Sequence, residues 1–168
     1  MRILETFHML PIAALVNEKI FCCHGGLSPE FNQLPSLDIL RSIPRPVALN
    51  DGLLWDLVWS DPSMEIDDWT PNEERNTSYY FSERNLLEFL DRFNLSMVIR
   101  GHQQCDQGFE FIWNKKFLTV FTAPRYQNEE NIGAMVRLHR NEKHRILVCF
   151  LLCCLVFIGF YMFPSYMA

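Results

Sequence analysis

The chain has 168 residues, with 15 Lys plus Arg against 20 Asp plus Glu for a formal charge of −5, and it is 49% apolar and 14% aromatic. That length suits one soluble domain or part of a larger one, and the aromatic content supplies enough core material to exclude global disorder. The acidic balance argues against nucleic acid as a partner, since no block of cations is suited to tracking a phosphate backbone.

In chain order, Met1-Arg2-Ile3-Leu4-Glu5 places an acid where a signal peptide needs an unbroken apolar core, which disfavours secretion through that end. Leu10 to Val16 reads as a helix with Pro11 in its first turn. Asn17-Glu18 then turns the chain into a short strand, Lys19 to Cys23, followed at once by a glycine loop. Ser36 is placed to cap a helix carrying Leu37, Leu40 and Ile43, which Pro44 and Pro46 terminate.

The clearest helix starts at Ser82, with Glu83 in its first turn and Leu86, Leu87, Leu90 and Phe93 on one face. Ser96 to Gly101 reads as a strand, Phe109–Trp113 and Lys116–Thr122 as a hairpin around Asn114-Lys115, and Gly133 to Leu138 as a further strand. Helices first and antiparallel strands later predict an α/β or α+β body with functional loops at strand ends. Six cysteines, two pairs of them adjacent and four inside apolar runs, make a poor disulfide framework and read as reduced thiols.

From Ile146 to Phe163 the chain is apolar and uncharged, about 27 Å as a helix, and Arg137, Arg140, Lys143 and Arg145 precede it with one acid, Glu142. Two readings stand. One is a membrane tail anchor that leaves the preceding body in the cytosol; the other is a buried final strand followed by a greasy tail.

Two segments carry chemistry. In Phe21-Cys22-Cys23-His24-Gly25-Gly26 a buried strand ends in a histidine, and the glycines permit close approach or unusual backbone angles, so the imidazole can point into a site. A second strand-end histidine stands in Ile99-Arg100-Gly101-His102-Gln103, and two neutral imidazoles on separate strands can converge on one metal. By residue type alone each is equally a hydrogen-bonded structural histidine, and Arg75 and Tyr126 read as ordinary surface residues.

Five stretches in order, Leu10-Pro11-Ile12-Ala13-Ala14, Glu18 to Pro29, Trp59-Ser60-Asp61-Pro62, Arg100-Gly101-His102-Gln103 and Thr122-Ala123-Pro124-Arg125-Tyr126, resemble successive motifs of the PPP-family serine/threonine protein phosphatases, nearest the type 1 catalytic subunits. The resemblance runs over about residues 3–138. It implies the C-terminal half of a metallophosphoesterase β-sandwich flanked by helices, residues 1–145, followed by the apolar tail, 146–168.

It further implies two divalent ions, manganese, iron or zinc, with His24 and His102 as ligands of one of them. Arg75, the arginine of the family's Asp-Arg-Gly, would hold the substrate phosphoryl group. Tyr126 would sit on a loop that overhangs the site and contacts substrate or inhibitors. Ile20, Met97, Phe111, Leu118 and Val120 match apolar positions that receive a short Val/Ile-x-Phe segment of regulatory subunits. Phosphoprotein substrates, such regulators, and a cytoplasmic or nuclear location follow from the same resemblance. From residue type alone, core packing is the ordinary role of those apolar side chains.

Departures from the family pattern bear on activity. Glu74-Arg75-Asn76 keeps only the arginine, and Gln127 stands where type 1 enzymes carry a toxin-reactive cysteine. Gly-Asp-x-His, Gly-Asp-x-x-Asp-Arg-Gly and Gly-Asn-His-Glu, which supply the bridging carboxylate, further ligands and the general acid, occur nowhere in the chain. The expectation is a phosphatase for phosphoserine and phosphothreonine that is inactive as this isolated chain. The alternative is a non-catalytic, membrane-tethered interaction protein. An unrelated zinc hydrolase using His24 and His102 is disfavoured, since no HExxH or CxxC is present.

Overall fold

The computed structural model describes residues 9–44, 51–138 and 144–149. Its strands are β1 (Ala13–Val16), β2 (Ile20–Cys23), β3 (Asp61–Pro62), β4 (Thr70–Pro71), β5 (Tyr79–Phe81), β6 (Met97–Arg100), β7 (Phe109–Ile112), β8 (Phe117–Val120), β9 (Gly133–Leu138) and β10 (His144–Cys149). Its helices are α1 (Ile39–Ser42), α2 (Gly52–Trp59) and α3 (Glu83–Arg92). The mixed α/β composition agrees with the expected class.

The central sheet has the order β1-β2-β6-β8-β7. Its inner pairs, β2 with β6 and β6 with β8, are parallel, while the outer strands β1 and β7 run antiparallel to their neighbours. Parallel inner strands put the carboxyl ends of β2 and β6 side by side, which is where His24 and His102 leave the sheet. Period-two alternation sends Phe21, Cys23, Val98 and Phe117 to one face and Ile20, Cys22, Met97, Ile99 and Leu118 to the other.

The first face is covered by α2 and α3, through Leu53 and Leu57 and through Leu86, Phe89 and Leu90. Helix α3 forms where the sequence predicts, but Leu87, expected on its buried face, is exposed and Phe89 is buried beside Leu86 and Leu90. The Ser82 hydroxyl accepts from the Asn85 amide at 3.3 Å while the Asn85 side chain accepts from the Ser82 amide at 2.9 Å, a reciprocal cap that satisfies two otherwise orphaned donors. The second face is covered by the antiparallel β9–β10 ribbon, whose Val136, Leu138 and Ile146 pack against it.

Two expectations are corrected. Residues 10–16 do not form a helix: Ala13 to Val16 is β1, paired with β2 from Ala13 opposite Cys23 to Val16 opposite Ile20. Asn17 and Glu18 both take left-handed angles, φ 51° and 57°, the geometry of a tight hairpin whose twist matches its strands, and that pairing outweighs the helical reading of the apolar run. The helix expected from Ser36 shrinks to the single turn α1, because the Ser36 hydroxyl accepts from the Asp38 amide at 3.1 Å in a local turn of its own.

The expected membrane span is altered at its start, since Ile146 to Cys149 belong to β10. The rest of that span lies outside the described residues, and among the described residues no helix is long and apolar enough to cross a membrane. Cys22, Cys23 and Cys105 are buried free thiols.

Candidate functional site

Gly25 and Gly26 follow β2 because α2 and β5 press on them. A Cβ on Gly25 would lie 2.4 Å from the Val58 carbonyl carbon, and one on Gly26 would lie 2.4 Å from the Phe81 ring. Neither has a positive φ, so close approach is what demands glycine here. The Gly25 amide donates to Leu57 O at 2.8 Å, and the Ser28 hydroxyl donates to Asp56 Oδ2 at 2.7 Å, which locks the His24 loop onto α2. Ser78 donates to the other Asp56 oxygen at 2.7 Å and ties in the loop that carries Arg75. Burial raises the Asp56 pKa, against the pull of its two serine hydrogen bonds.

From β6 the chain turns through Gly101, whose amide donates to His24 O at 3.0 Å, into His102 with φ 68°. His102 Nδ1 then lies 3.1 Å from His24 Nε2, and the Trp59 ring packs edge-on against the His102 imidazole with centroids 5.4 Å apart. The structure thus brings together the two histidines that the sequence singled out.

Behind them is a buried charge network in which the sequence reading assigned a role to Arg75 alone and missed those of Asp61, Asn72 and Arg100. Asp61, 0% exposed, accepts from Arg75 Nε at 2.9 Å and from Asn72 Nδ2 at 3.0 Å, and its other oxygen lies 3.3 Å from Arg100 Nη2. The Asn72 side chain also accepts from the Arg75 amide at 2.9 Å, so Arg75 is held at both its backbone and its guanidinium. The Arg75 side chain remains 28% exposed, and its outer nitrogens make no hydrogen bond among the described residues.

The Arg100 side chain is fully buried. It donates to Gly101 O at 2.8 Å and to Gln103 Oε1, which braces the turn into His102. Burial lowers its pKa to about 10, with Asp61 opposing the shift. A signal for this network was present: an arginine directly after Val98-Ile99 in a buried strand requires a buried counter-charge.

Burial, with Arg100 and Arg75 acting in the same direction and Asp61 against them, pushes His24 below its ordinary pKa. Burial also lowers that of His102, with Asp61 opposing and Arg75, His24 and Arg100 adding to it. Both rings are therefore neutral near pH 7, the form that donates a lone pair to a metal. His102 Nε2 and Ser60 Oγ are buried without a hydrogen-bond partner.

The separation of 3.1 Å suits two neighbouring ligands of one ion at metal–nitrogen distances of about 2.1 Å. The pair fits part of a coordination sphere. Among the described residues no third His, Cys, Asp or Glu converges with it.

The other expected site residues lie apart from the histidines. Tyr126, 44% exposed, packs edge-on against Phe121 at 5.2 Å, and no hydrogen bond or ring contact joins it to His24, His102 or Arg75. Its loop is clamped by buried Asn131, whose side chain accepts from the Tyr126 amide and donates to Ala123 O, each at 2.8 Å. Ile20, Met97 and Leu118 are buried in the second face of the sheet, with Phe111 and Val120 half-buried against them.

Residues 1–106 match the calcineurin-like phosphoesterase family. Among solved structures, the chain is similar to a protein serine/threonine phosphatase from Saccharomyces cerevisiae with similarity to human phosphatase PP5, at 24% identity and a TM-score of 0.73. That likeness covers 88% of this chain and 49% of the yeast one, so the chain spans about half the length of that structure. At this identity the likeness shows the fold.

Proposed function

Since this chain belongs to the calcineurin-like phosphoesterase family, we propose that its site binds a divalent metal through His24 and His102 and a phosphoryl group through Arg75. The substrates in this reading are phosphoserine and phosphothreonine proteins. The observation that carries it is the convergence of two imidazoles, with His24 Nε2 and His102 Nδ1 3.1 Å apart, in a site where Asp61 holds Arg75 by its inner nitrogen at 2.9 Å.

A metal bound there would act as a Lewis acid toward a phosphoryl oxygen. The chain's own residues do the rest. Asp61 and Asn72 orient Arg75 so that its outer nitrogens are available to phosphate oxygens in the paired geometry that suits guanidinium. Trp59 limits the swing of His102 from one side. Exposed Tyr126, on its clamped loop, contacts substrate or inhibitors in the same reading.

A bridging carboxylate and a general acid are not supplied by the motifs of this sequence. In this reading the isolated chain binds metal and phosphate and does not turn over phosphoesters. The test is calorimetric titration of the purified chain with Mn²⁺ and Zn²⁺, then with inorganic phosphate, alongside hydrolysis of a phosphoserine peptide. Metal binding should weaken in His24→Ala and in His102→Ala, and phosphate binding should weaken in Arg75→Ala, with no turnover in any form. Equal metal affinity in wild type and both histidine variants overturns the ligand assignment. Turnover that His24→Ala abolishes overturns the inactivity and makes this chain an enzyme.

A further inference from the structure

The outer face of the β9–β10 ribbon plays no part in that site. In the antiparallel register Met135 lies opposite Leu147 and Arg137 opposite Arg145. All four are exposed, Met135 at 50% and Leu147 at 37%, whereas Val136, Leu138 and Ile146 turn inward onto the sheet. Like charges directly opposite on a ribbon repel. Among the described residues neither arginine has an acidic partner.

The ribbon therefore retains an unfavourable pair of cations beside an unfavourably exposed apolar pair. A ligand that is anionic and apolar at once relieves both. The sequence around the ribbon continues that chemistry, with Arg140 and Lys143 against the one acid Glu142 between its strands and no charged residue from Ile146 to Ala168.

We propose that this face is a membrane-surface site whose ligand is an anionic phospholipid bilayer. Arg137 and Arg145 meet headgroup phosphates, Met135 and Leu147 enter the interface, and the apolar sequence after β10 supplies the second signal that stable attachment needs. A second copy of the chain is the poorer occupant, because a two-fold contact across this face would gather four arginines. An acidic protein segment would satisfy the arginines but gives the uncharged sequence that follows no role.

The test is sedimentation of the full chain with phosphatidylcholine vesicles, with and without phosphatidylserine. Wild type should bind the phosphatidylserine vesicles more tightly, and raised salt should weaken that binding. At about fivefold per unit of charge, Arg137→Glu should weaken it on the order of 25-fold, while Arg137→Lys keeps it. Arg137→Glu faces Arg145 and replaces a repulsion with an attraction, so its thermal midpoint should not fall, which separates lost lipid binding from lost folding. Equal binding to both vesicle types, or unchanged binding by Arg137→Glu, overturns the proposal. So does displacement of the vesicles by a glutamate- and leucine-rich peptide that binds the chain more tightly.

Discussion

The two faces of the central sheet are built to different depths. On one, Phe21, Phe31, Phe89 and Phe93 interlock beneath α3, with ring centroids 4.7–6.1 Å apart. On the other, among the described residues, Ile20, Cys22, Met97, Ile99 and Leu118 are covered by one two-stranded ribbon. The fastenings of the candidate site belong to the deep side: the Gly25 amide on α2, Ser28 and Ser78 on Asp56, and Asp61 on β3. The shallow side buries residues expected for regulator docking and turns Met135 and Leu147 outward. The sheet thus separates the face that fastens the candidate site from the face that the β9–β10 ribbon covers.

Asp61→Ala gives the largest effect expected from this division. It leaves Arg100 buried without its counter-charge, a loss of about 3–5 kcal/mol, and it frees Arg75 from its inner anchor. Urea unfolding measures the first consequence and phosphate titration the second. A loss below about 1 kcal/mol would mean that the Arg100 charge is already solvated and that the network does not hold the site together.

Next come Phe117 and Leu118, consecutive on β8, both 0% exposed, and pointing to opposite faces. Phe117 stacks edge-on with Phe81 and Trp113, so Phe117→Ala should destabilise by about 3–5 kcal/mol. Leu118→Ala should cost about 2–3 kcal/mol, the low end for a buried leucine, because a two-stranded cover can settle into the space. Equal losses would show that the ribbon is packed as firmly as the helices, and the contrast between faces would fail.

Much of this arrangement was legible in the sequence because local chemistry determined it. His24 and His102 stood out as strand-end residues beside glycine, and Ser82 marked its helix by its own cap. The miss at Leu10 to Val16 has a physical source: a short apolar run fits either period, and pairing with β2 decides between them. Asp61 on β3, Asn72 and Arg75 on the loop after β4, and Arg100 on β6 meet only when the three segments converge on one carboxylate. Their residues were visible in the motifs, but their mutual roles depend on that convergence. The glycines after His24 were expected to supply freedom of angle or approach, and approach is the one used.

The finest test uses Cys22 and Cys23, neighbours on β2 that point to opposite faces, both 2% exposed. Burial pushes the Cys22 thiol up to about 12, and burial, with a contribution from Cys22, pushes Cys23 higher still. Neither thiol is nucleophilic in the closed fold at neutral pH, so alkylation of each proceeds only when its own face opens. In urea below the main transition, iodoacetamide adducts located by fragment mass spectrometry should appear on Cys22 before Cys23, because lifting the ribbon exposes one and not the other. Simultaneous labelling would make the sheet and both its covers one cooperative unit. The difference between the faces would then be one of composition alone, with no separate motion available to the ribbon side.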